Sequence, residues 1–499
     1  MLLTETRPAA ARSAPTRLLP ALMSACVVVV VAMVAAINLA LPELSGSGLR
    51  PSSTELLWIV DAYILVFGCL LIPAGALGDR VGRKGVLLTG LGVFAAGCLA
   101  AAAAPNVAML LAARVVTGIG AALVMPATLS LLLQETARER RPHAIAVWTA
   151  ATGSAGAVGN LTGGLVLQWL PWQGLFLVFG PLALLLALAV ARFAPAGERH
   201  AAALDVTGTV VLTASVFAVL FGLIEGPEQG WGSPLVVASF ATAAVLAAVF
   251  VAYALRTAEP LLDPRVFAIA RLRSGAIGVA AVFFGLFALF FVNAQYLQYA
   301  KGYSPIATGL AILPLPAGLI AVSRRSIAMA ARFGPRAVVT AGMLLVATGL
   351  GLLSFADAGT PYPAYAAALV VLSAGAGLSV PVLSTGIVTA LPAGRAGMGS
   401  GLNSAVREVG AALGIAVVGS VLASGFRHNL PDGVGEHADS TFQALRAARL
   451  LGPAVHAQTV EAFTDAMSAG LRVVAVVVLV AAVAVARRDR QTGGTRSRT

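Results

Sequence analysis

The sequence predicts an all-α integral membrane fold with fourteen transmembrane helices. Three observations lead to it: the composition, the number of long apolar runs and the distribution of basic residues between those runs. Of the 499 residues, 59% are hydrophobic and 11% are charged, with a mean hydropathy of +0.90. A soluble domain carries about 25% charged residues. A chain of this size could not bury so much apolar surface in water, so the composition excludes a water-soluble fold.

The apolar runs set the number of predicted helices, because a membrane-spanning helix needs about 20 mainly apolar residues. Two of the runs are weaker than the others. Residues 143–167 are rich in Gly and Thr, and residues 363–391 are long and interrupted by Pro381. The predicted spans are residues 19–42, 55–77, 85–104, 107–132, 143–167, 172–193, 206–225, 232–255, 273–297, 305–328, 336–356, 363–391, 399–425 and 467–486.

Basic residues are distributed unevenly between the two sides of such an arrangement. With the N-terminus inside, 25 of the 33 Lys and Arg residues fall on the inner side and 6 on the outer side, while Arg114 and Arg407 lie within spans. This asymmetry follows the positive-inside rule and predicts that both termini are cytoplasmic. The formal net charge of +12 therefore indicates basic loops at a lipid bilayer rather than a nucleic-acid partner.

One short turn carries a distinctive motif. Residues 75–84 read GALGDRVGRK and lie between the second and third predicted spans. Its glycines, Gly75 and Gly82 among them, allow a tight turn and a close approach of helix ends. Asp79 is suited to accept hydrogen bonds from the first amides of a helix, or to pair with Arg80, with Arg83 or with a basic group on another helix. Lys84 completes the motif.

This order of residues resembles the signature loop of the major facilitator superfamily. Other segments are similar to its fourteen-span drug:proton antiporter branch, the multidrug resistance exporter type. The resemblance runs from about residue 20 to residue 425 and returns at the last span. The segments that carry it are INLALP at 37–42, WIVDAYILVFGCLLIPAGALGDRVGRK at 58–84, LLAARVVTGIGAALVMPA at 110–127, GNLTGG at 159–164, GYSPIATGLAILPL at 302–315 and GSGLNSAVREVGAALGIAVVG at 399–419.

The resemblance implies a domain organisation of two related halves. An internal echo agrees with it, because R-x-G-x-[RK] occurs at Arg80–Lys84 and again at Arg332–Arg336, with Ala331 where the first copy has Asp79. The expected parts are a cytoplasmic tail (1–18), a six-helix bundle (19–193), two inserted helices (206–255), a second six-helix bundle (273–486) that includes a partly helical extracytoplasmic loop (426–465), and a second cytoplasmic tail (487–499).

Ionisable residues within spans are functional candidates by default, because burying them in lipid is costly. Asp61 and Arg114 lie at similar depths in the second and fourth spans, so they are candidates for proton coupling. Arg407 and Glu408 stand side by side in the thirteenth span, and two alternatives are open for them. If this span begins before Asn403, Glu408 is a second proton-site candidate. If it begins after Asn403, the pair lies at the cytoplasmic edge.

Two further sets of residues complete the predicted site. Gly159, Gly163 and Gly164 crowd the fifth span, where small residues let helices approach closely. Polar and aromatic residues suited to line a path for hydrophobic or cationic ligands are Asn38, Trp58, Tyr63, Asn293, Tyr296 and Gln298. The spacing of the histidines matches no metal-ligand motif, so no metal site is expected.

The resemblance implies a proton-coupled exporter of hydrophobic or cationic small molecules in a bacterial cytoplasmic membrane. Such a chain is not an enzyme, acts as a monomer, needs no cofactor and uses the proton motive force. No G-x-x-x-x-G-K-[ST] loop for ATP is present in the sequence. Two alternatives remain open: a proton-coupled importer of a nutrient, and a membrane sensor that transports nothing.

Overall fold

The computed structural model describes residues 18–45, 47–51, 53–195, 205–258, 260–391, 396–431, 433–434 and 441–493. In these residues every regular element is helical, and no strand occurs. The helices are α1 (Leu18–Ser45), α2 (Ser53–Val81), α3 (Arg83–Ala102), α4 (Val107–Gln134), α5 (Arg141–Trp169), α6 (Gln173–Phe193), α7 (Val206–Gln229), α8 (Pro234–Ala254), α9 (Ala270–Gln295), α10 (Pro305–Ala311), α11 (Pro314–Phe333), α12 (Pro335–Leu353), α13 (Tyr362–Val388), α14 (Ala396–His428), α15 (Thr441–Leu451) and α16 (Pro453–Gly493).

Within the described part of the chain, 13 helical segments are long and apolar enough to cross a membrane. One of them, Ile306–Phe333, combines α10 and α11. The predicted span at 143–167 is absent from this set, although α5 is 29 residues long there. Its glycine and threonine residues lower its hydropathy, and it packs against α1, α11 and α13. An all-helical membrane fold is confirmed, while the count of fourteen spans stays a prediction.

Three predicted boundaries differ from the structure. The predicted loop at 426–465 is largely helical where it is described, because α14 continues to His428 and α16 already begins at Pro453. Val460 and Phe463 are buried, which explains why this polar stretch is helical ahead of the predicted last span. The predicted span at 305–328 breaks where Pro314 starts α11, since proline lacks the N–H that would continue a helix.

The helices pair in a pattern that occurs twice along the chain. In the first set, α1 packs against α5, α2 against α4, and α3 against α4 and α6. In the second set, α9 packs against α14, α11 against α13, and α12 against α13 and α16. The pairs between these sets join α5 to α11 and α13, and α14 to α2 and α4. The two helices inserted between the sets, α7 and α8, pack on each other, and α7 also contacts both α2 and α14.

Close helix approach at glycine occurs at matching places in both sets. A Cβ atom added to Gly159 of α5 would overlap the carbonyl oxygen of Ala32 in α1. A Cβ added to Gly414 of α14 would overlap the carbonyl oxygen of Phe284 in α9 in the same way. At Gly163 the nearest atom would be the Cα of Ala36, 3.1 Å away. Without a side chain at these positions, the paired backbones lie in direct contact.

Gly164, unlike Gly159 and Gly163 of the same helix, is not in tight contact with α1. A Cβ atom there would lie 3.8 Å from Ile306 of α10, which is an ordinary van der Waals distance. The glycine therefore faces α10 rather than α1, and no tight backbone approach requires it.

We expect Gly159→Val to destabilise the protein and the matched change Gly92→Val to leave its stability nearly unchanged. Both glycines lie inside helices, but no atom lies within 4 Å of a Cβ added to Gly92. Overpacking of this kind costs about 1–3 kcal/mol. The melting temperature of each purified variant in detergent is measured by size-exclusion chromatography of heated samples. Equal melting temperatures for the two would contradict a tight α1–α5 contact.

Candidate functional site

The turn at residues 75–84, called the signature turn below, joins two parts of the molecule. Gly82 has φ 105° between α2 and α3, a conformation that favours glycine. Arg83 donates two hydrogen bonds to Oδ1 of Asp79, at 2.9 Å from Nη2 and 3.2 Å from Nε. The other oxygen, Oδ2, accepts a hydrogen bond of 3.0 Å from the backbone N–H of Met398, in the first turn of α14. One buried carboxylate thus holds α2, α3 and the start of α14 together.

The basic residues of the signature turn differ in their surroundings. Arg83 is buried and also donates from Nη1 to the Ser130 carbonyl oxygen (3.3 Å) and to Gln134 (3.2 Å) in α4. Lys84 donates to the carbonyl oxygens of Ala191 and Ala194, where the negative end of the α6 dipole lies. Arg80 is exposed, and Gly75 is buried.

Helices α2 and α14 lie in antiparallel contact from the signature turn inward. A Cβ added to Gly401 would lie 2.6 Å from the Leu71 carbonyl oxygen, and one added to Gly68 would lie 3.7 Å from the Cβ of Glu408. The same face of α2 therefore follows α14 from Asp79 to the level of Glu408. The two sets of helices are therefore in contact at the end that carries the signature turn.

Arg114 is completely buried in α4 and binds α2. Its Nε donates to the Ile59 carbonyl oxygen at 2.7 Å, and its guanidinium carbon lies 4.5 Å from the centre of the Tyr63 ring. Neither Nη atom has a hydrogen-bond partner. The predicted residue Tyr63 is also buried, and its hydroxyl donates to the Val30 carbonyl oxygen of α1 at 2.7 Å. The guanidinium is thus held by a backbone carbonyl and an aromatic face.

Asp61 is half-buried on α2, two residues from the carbonyl group that Arg114 binds. Farther along α2, the Cβ of Glu408 in α14 faces Gly68. Arg114 of α4 and Glu408 of α14 therefore both approach α2, and Asp61 lies on α2 between these two contacts along the chain.

The structure shows where Arg407 and Glu408 lie along α14. Helix α14 begins at Ala396, well before Asn403, so at 1.5 Å per residue Arg407 lies about 16 Å from the start of the helix. Arg407 is only 2% exposed. Arg407 therefore lies deep within the bundle, and Glu408 beside it is half-buried.

Aromatic rings surround the guanidinium group of Arg407. Its central carbon lies 4.1 Å from the ring centre of Phe283 in α9 and 5.5 Å from that of Trp148 in α5. Trp148 is itself fixed, because its Nε1–H donates to Thr128 of α4 at 3.1 Å. The sequence analysis missed Phe283 and Trp148. Only their position in spans could have marked them, and the span that contains Trp148 is weakly apolar.

Two of the residues predicted to contact substrate form a cluster at the other end of the bundle. Oδ1 of Asn293 accepts a hydrogen bond of 2.6 Å from the hydroxyl of Tyr365, another residue that the sequence analysis missed. Tyr296 stacks on Tyr365 with ring centres 5.0 Å apart and donates to the Asp357 carbonyl oxygen at 2.8 Å. These groups are satisfied by one another and by the loop between α12 and α13.

The remaining three predicted contact residues lie apart from this cluster. Asn38 is exposed and donates to the Val34 carbonyl oxygen of its own helix. Trp58 lies 5.9 Å from Phe221 of α7, ring centre to ring centre. Gln298 is half-buried in the π-helical segment that follows α9. The structure therefore does not bring the six residues into one cluster.

Known relatives match most of this chain. It is 31% identical over 458 residues to the multidrug efflux pump LfrA of Mycolicibacterium smegmatis, covering 89% of this chain and 90% of that protein. It is 35% identical over 407 residues to the methylenomycin A resistance protein of Streptomyces coelicolor, covering 80% and 83%. These relatives confirm the resemblance to multidrug and antibiotic resistance exporters.

Solved transporter structures share the fold at low sequence identity. An inward-facing, unoccupied bacterial homologue of the human lysosomal transporter Spinster aligns with a TM-score of 0.63 and 18% identity, over 95% of this chain and 98% of that one. The human organic anion transporter MFSD10 aligns with a TM-score of 0.61 and 16% identity, over 93% and 99%. This chain therefore shares the fold of these two transporters.

The family model described as Major Facilitator Superfamily matches residues 23–415, from within α1 to within α14, and so includes both the signature turn and the buried Arg407. This multi-pass membrane protein therefore belongs to the major facilitator superfamily.

Proposed function

We propose that this protein is a proton-coupled secondary active exporter of hydrophobic or cationic small molecules, working by alternating access in a bacterial cytoplasmic membrane. The similarity to efflux and resistance proteins over most of the chain carries the proposal. If α5 crosses the membrane in addition to the 13 candidate spans, and α10 and α11 together form one span, the chain has fourteen spans. Because this number is even, both termini would lie on the same side, in the cytoplasm. The repeated pairing pattern supports two six-helix halves, α1–α6 and α9–α16, that rock about a central site.

In this proposal the signature turn is the cytoplasmic latch between the halves. Asp79 binds the first turn of α14, where the positive end of the helix dipole stabilises a carboxylate by about 0.3–1 kcal/mol, or up to ~2 kcal/mol when it is partly buried. Opening toward the cytoplasm would break this hydrogen bond and separate Gly401 from Leu71. The second copy of the motif has Ala331 in place of the aspartate, so a single latch of this kind would operate.

Proton coupling would rest on the two carboxylates that lie nearest the buried arginines. Asp61 is half-buried, two residues from the Ile59 carbonyl oxygen that Arg114 binds, and Glu408 follows Arg407 at the α2–α14 contact. Protonation removes the charge that a neighbouring guanidinium stabilises, and opening to water restores the solvation of that charge. When the central site opens to the other side of the membrane, the favoured protonation state of the two carboxylates would therefore change.

Two other functions predict different results. A proton-coupled importer would move its substrate in the opposite direction across everted vesicles. A membrane sensor would show no substrate-dependent proton movement at all, and Asp61→Asn and Arg114→Ala would leave drug accumulation in cells unchanged.

We expect Asp61→Asn and Arg114→Ala to raise drug accumulation in cells to the level of cells without the protein. Asp61→Asn and Glu408→Gln should also each abolish substrate-induced collapse of an inward-acid pH gradient in everted vesicles. Neither amide can carry a proton between the two sides, although each fills nearly the same space as the acid it replaces. Asp465→Asn, a change at an exposed carboxylate on α16, is the matched control and should leave the collapse intact. Normal collapse in both amide variants would refute coupling at these sites.

We expect Asp79→Ala to expose the α2–α14 contact. A cysteine introduced as Ser400→Cys, in a chain whose three native cysteines are replaced, reports on the start of α14, because Ser400 is completely buried and adjoins Gly401, which packs on Leu71 of α2. Removing the latch should increase the rate at which N-ethylmaleimide modifies this cysteine in everted vesicles. Glu139→Ala changes an exposed acid outside the signature turn and serves as control. An unchanged rate in Asp79→Ala would exclude the latch.

A further inference from the structure

One face of α14 buries a row of polar groups that have no partner. Ser400, Asn403, Ser404 and Arg407 follow one another at the three- and four-residue spacing that places side chains on one side of a helix. All four residues are at most 2% exposed. The hydroxyl groups of both serines, both amide atoms of Asn403, and Nε and Nη1 of Arg407 lack hydrogen-bond partners. We call these four residues the polar face of α14.

Leaving these groups unpaired is unfavourable, and the cost is highest at the arginine. A buried polar group without a hydrogen-bond partner destabilises the fold, and a charged one does so more strongly. The two aromatic faces around the guanidinium offset only part of that cost. Neither ring offers an acceptor in the plane of the guanidinium, where its N–H groups point. The polar face is therefore incomplete without a hydrogen-bond acceptor from outside the chain.

The hydrogen-bond donors on the polar face of α14 indicate which kind of acceptor would bind there. A guanidinium group has five N–H donors and no acceptor, and its planar fork matches the paired oxygens of a carboxylate or of a comparable acidic oxygen group. The Asn403 amide and the two hydroxyl groups supply further donors along the same face. Glu408 does not fill this role, because adjacent residues on a helix point about 100° apart and its Cβ faces Gly68 of α2.

The polar face of α14 lies where both sets of helices could contact a transported ligand. Arg407 is on α14, one ring that covers it belongs to α9, and the other belongs to α5 in the first set of helices. A ligand bound at Arg407 would thus be contacted from both sets, between flat aromatic faces that suit a hydrophobic ring system. If the two halves separate as proposed above, Trp148 of α5 would move away from Arg407 of α14 and leave room for a ligand there.

We propose that the polar face of α14 is a substrate subsite that binds the carboxylate, or a comparable acidic oxygen group, of an otherwise hydrophobic aromatic substrate, with Arg407 as its counter-ion. This proposal rests on the proposed export function and narrows its substrate class. Arg407 is then a substrate-binding residue rather than part of the proton path.

A pair of dyes tests the subsite with the purified full-length protein in lipid nanodiscs. The probes are a xanthene dye with a free aromatic carboxylate and the ethyl ester of the same dye, which differ only at that group. A charge-assisted hydrogen bond contributes about 1.5–3 kcal/mol, so the wild-type protein should bind the acid roughly 10-fold or more tightly than the ester by fluorescence polarisation. Arg407→Gln should remove this preference and leave binding of the ester within about 2-fold.

Two further variants guard against a merely structural effect. Arg427→Gln removes an exposed arginine near the other end of the same helix and should keep the preference for the acid. Arg407→Lys keeps the charge but loses the planar donor pair, so it should retain part of the preference, and it replaces Arg407→Gln if that variant does not fold.

Three results would overturn the subsite: equal affinity of the wild type for the two dyes, no binding of either dye, or an acid preference that survives Arg407→Gln. Energised proteoliposomes separate such a failure from failure of the proposed function. If they still pump the ester, export stands and the carboxylate subsite alone is wrong.

Discussion

The carboxylate of Asp79 is the interaction on which the arrangement of this structure depends. One of its oxygens is held by Arg83, and the other binds the first turn of α14, more than three hundred residues later in the chain. A buried ion pair is a weak source of stability, because the cost of desolvating two charges offsets much of their attraction. Its value here is geometric: it sets the distance between the two sets of helices at one end of the molecule.

That geometry decides what lies deeper in the bundle. With the start of α14 fixed against α2, Gly401 rests on the Leu71 carbonyl and Glu408 reaches the level of Gly68. The same register buries Arg407 between Phe283 and Trp148. A chain that is 59% hydrophobic buries few charges. The helix that carries Arg407 and Glu408 packs against α2 and α4, which carry Asp61 and Arg114. The proposed latch and the proposed binding region are therefore parts of one arrangement.

Much of this could be predicted from the sequence, because bilayer thickness and loop charge constrain a membrane chain strongly. The membrane class, most helices and the role of Asp79 as an acceptor at a helix start followed from hydropathy and one motif. Helix α5 was the difficult case, since its glycines serve packing against α1 and lower the hydropathy that identifies spans. The partners of Arg407 could not be predicted, because Phe283 and Trp148 lie on helices far from it in sequence. The depth of Arg407 depended on where α14 begins, which hydropathy leaves uncertain by several residues.

Alternating access is the central claim, and the distance between the two sets of helices tests it most directly. Spin labels at Val81 and Thr389, both exposed near the signature turn, report on that end, and labels at Ala103 and Ser304 report on the other. In nanodiscs, Asp79→Ala should lengthen the first distance and shorten the second, because opening one end closes the other. Distance distributions that remain unchanged at both ends, in this variant and across pH with substrate present, would contradict the account.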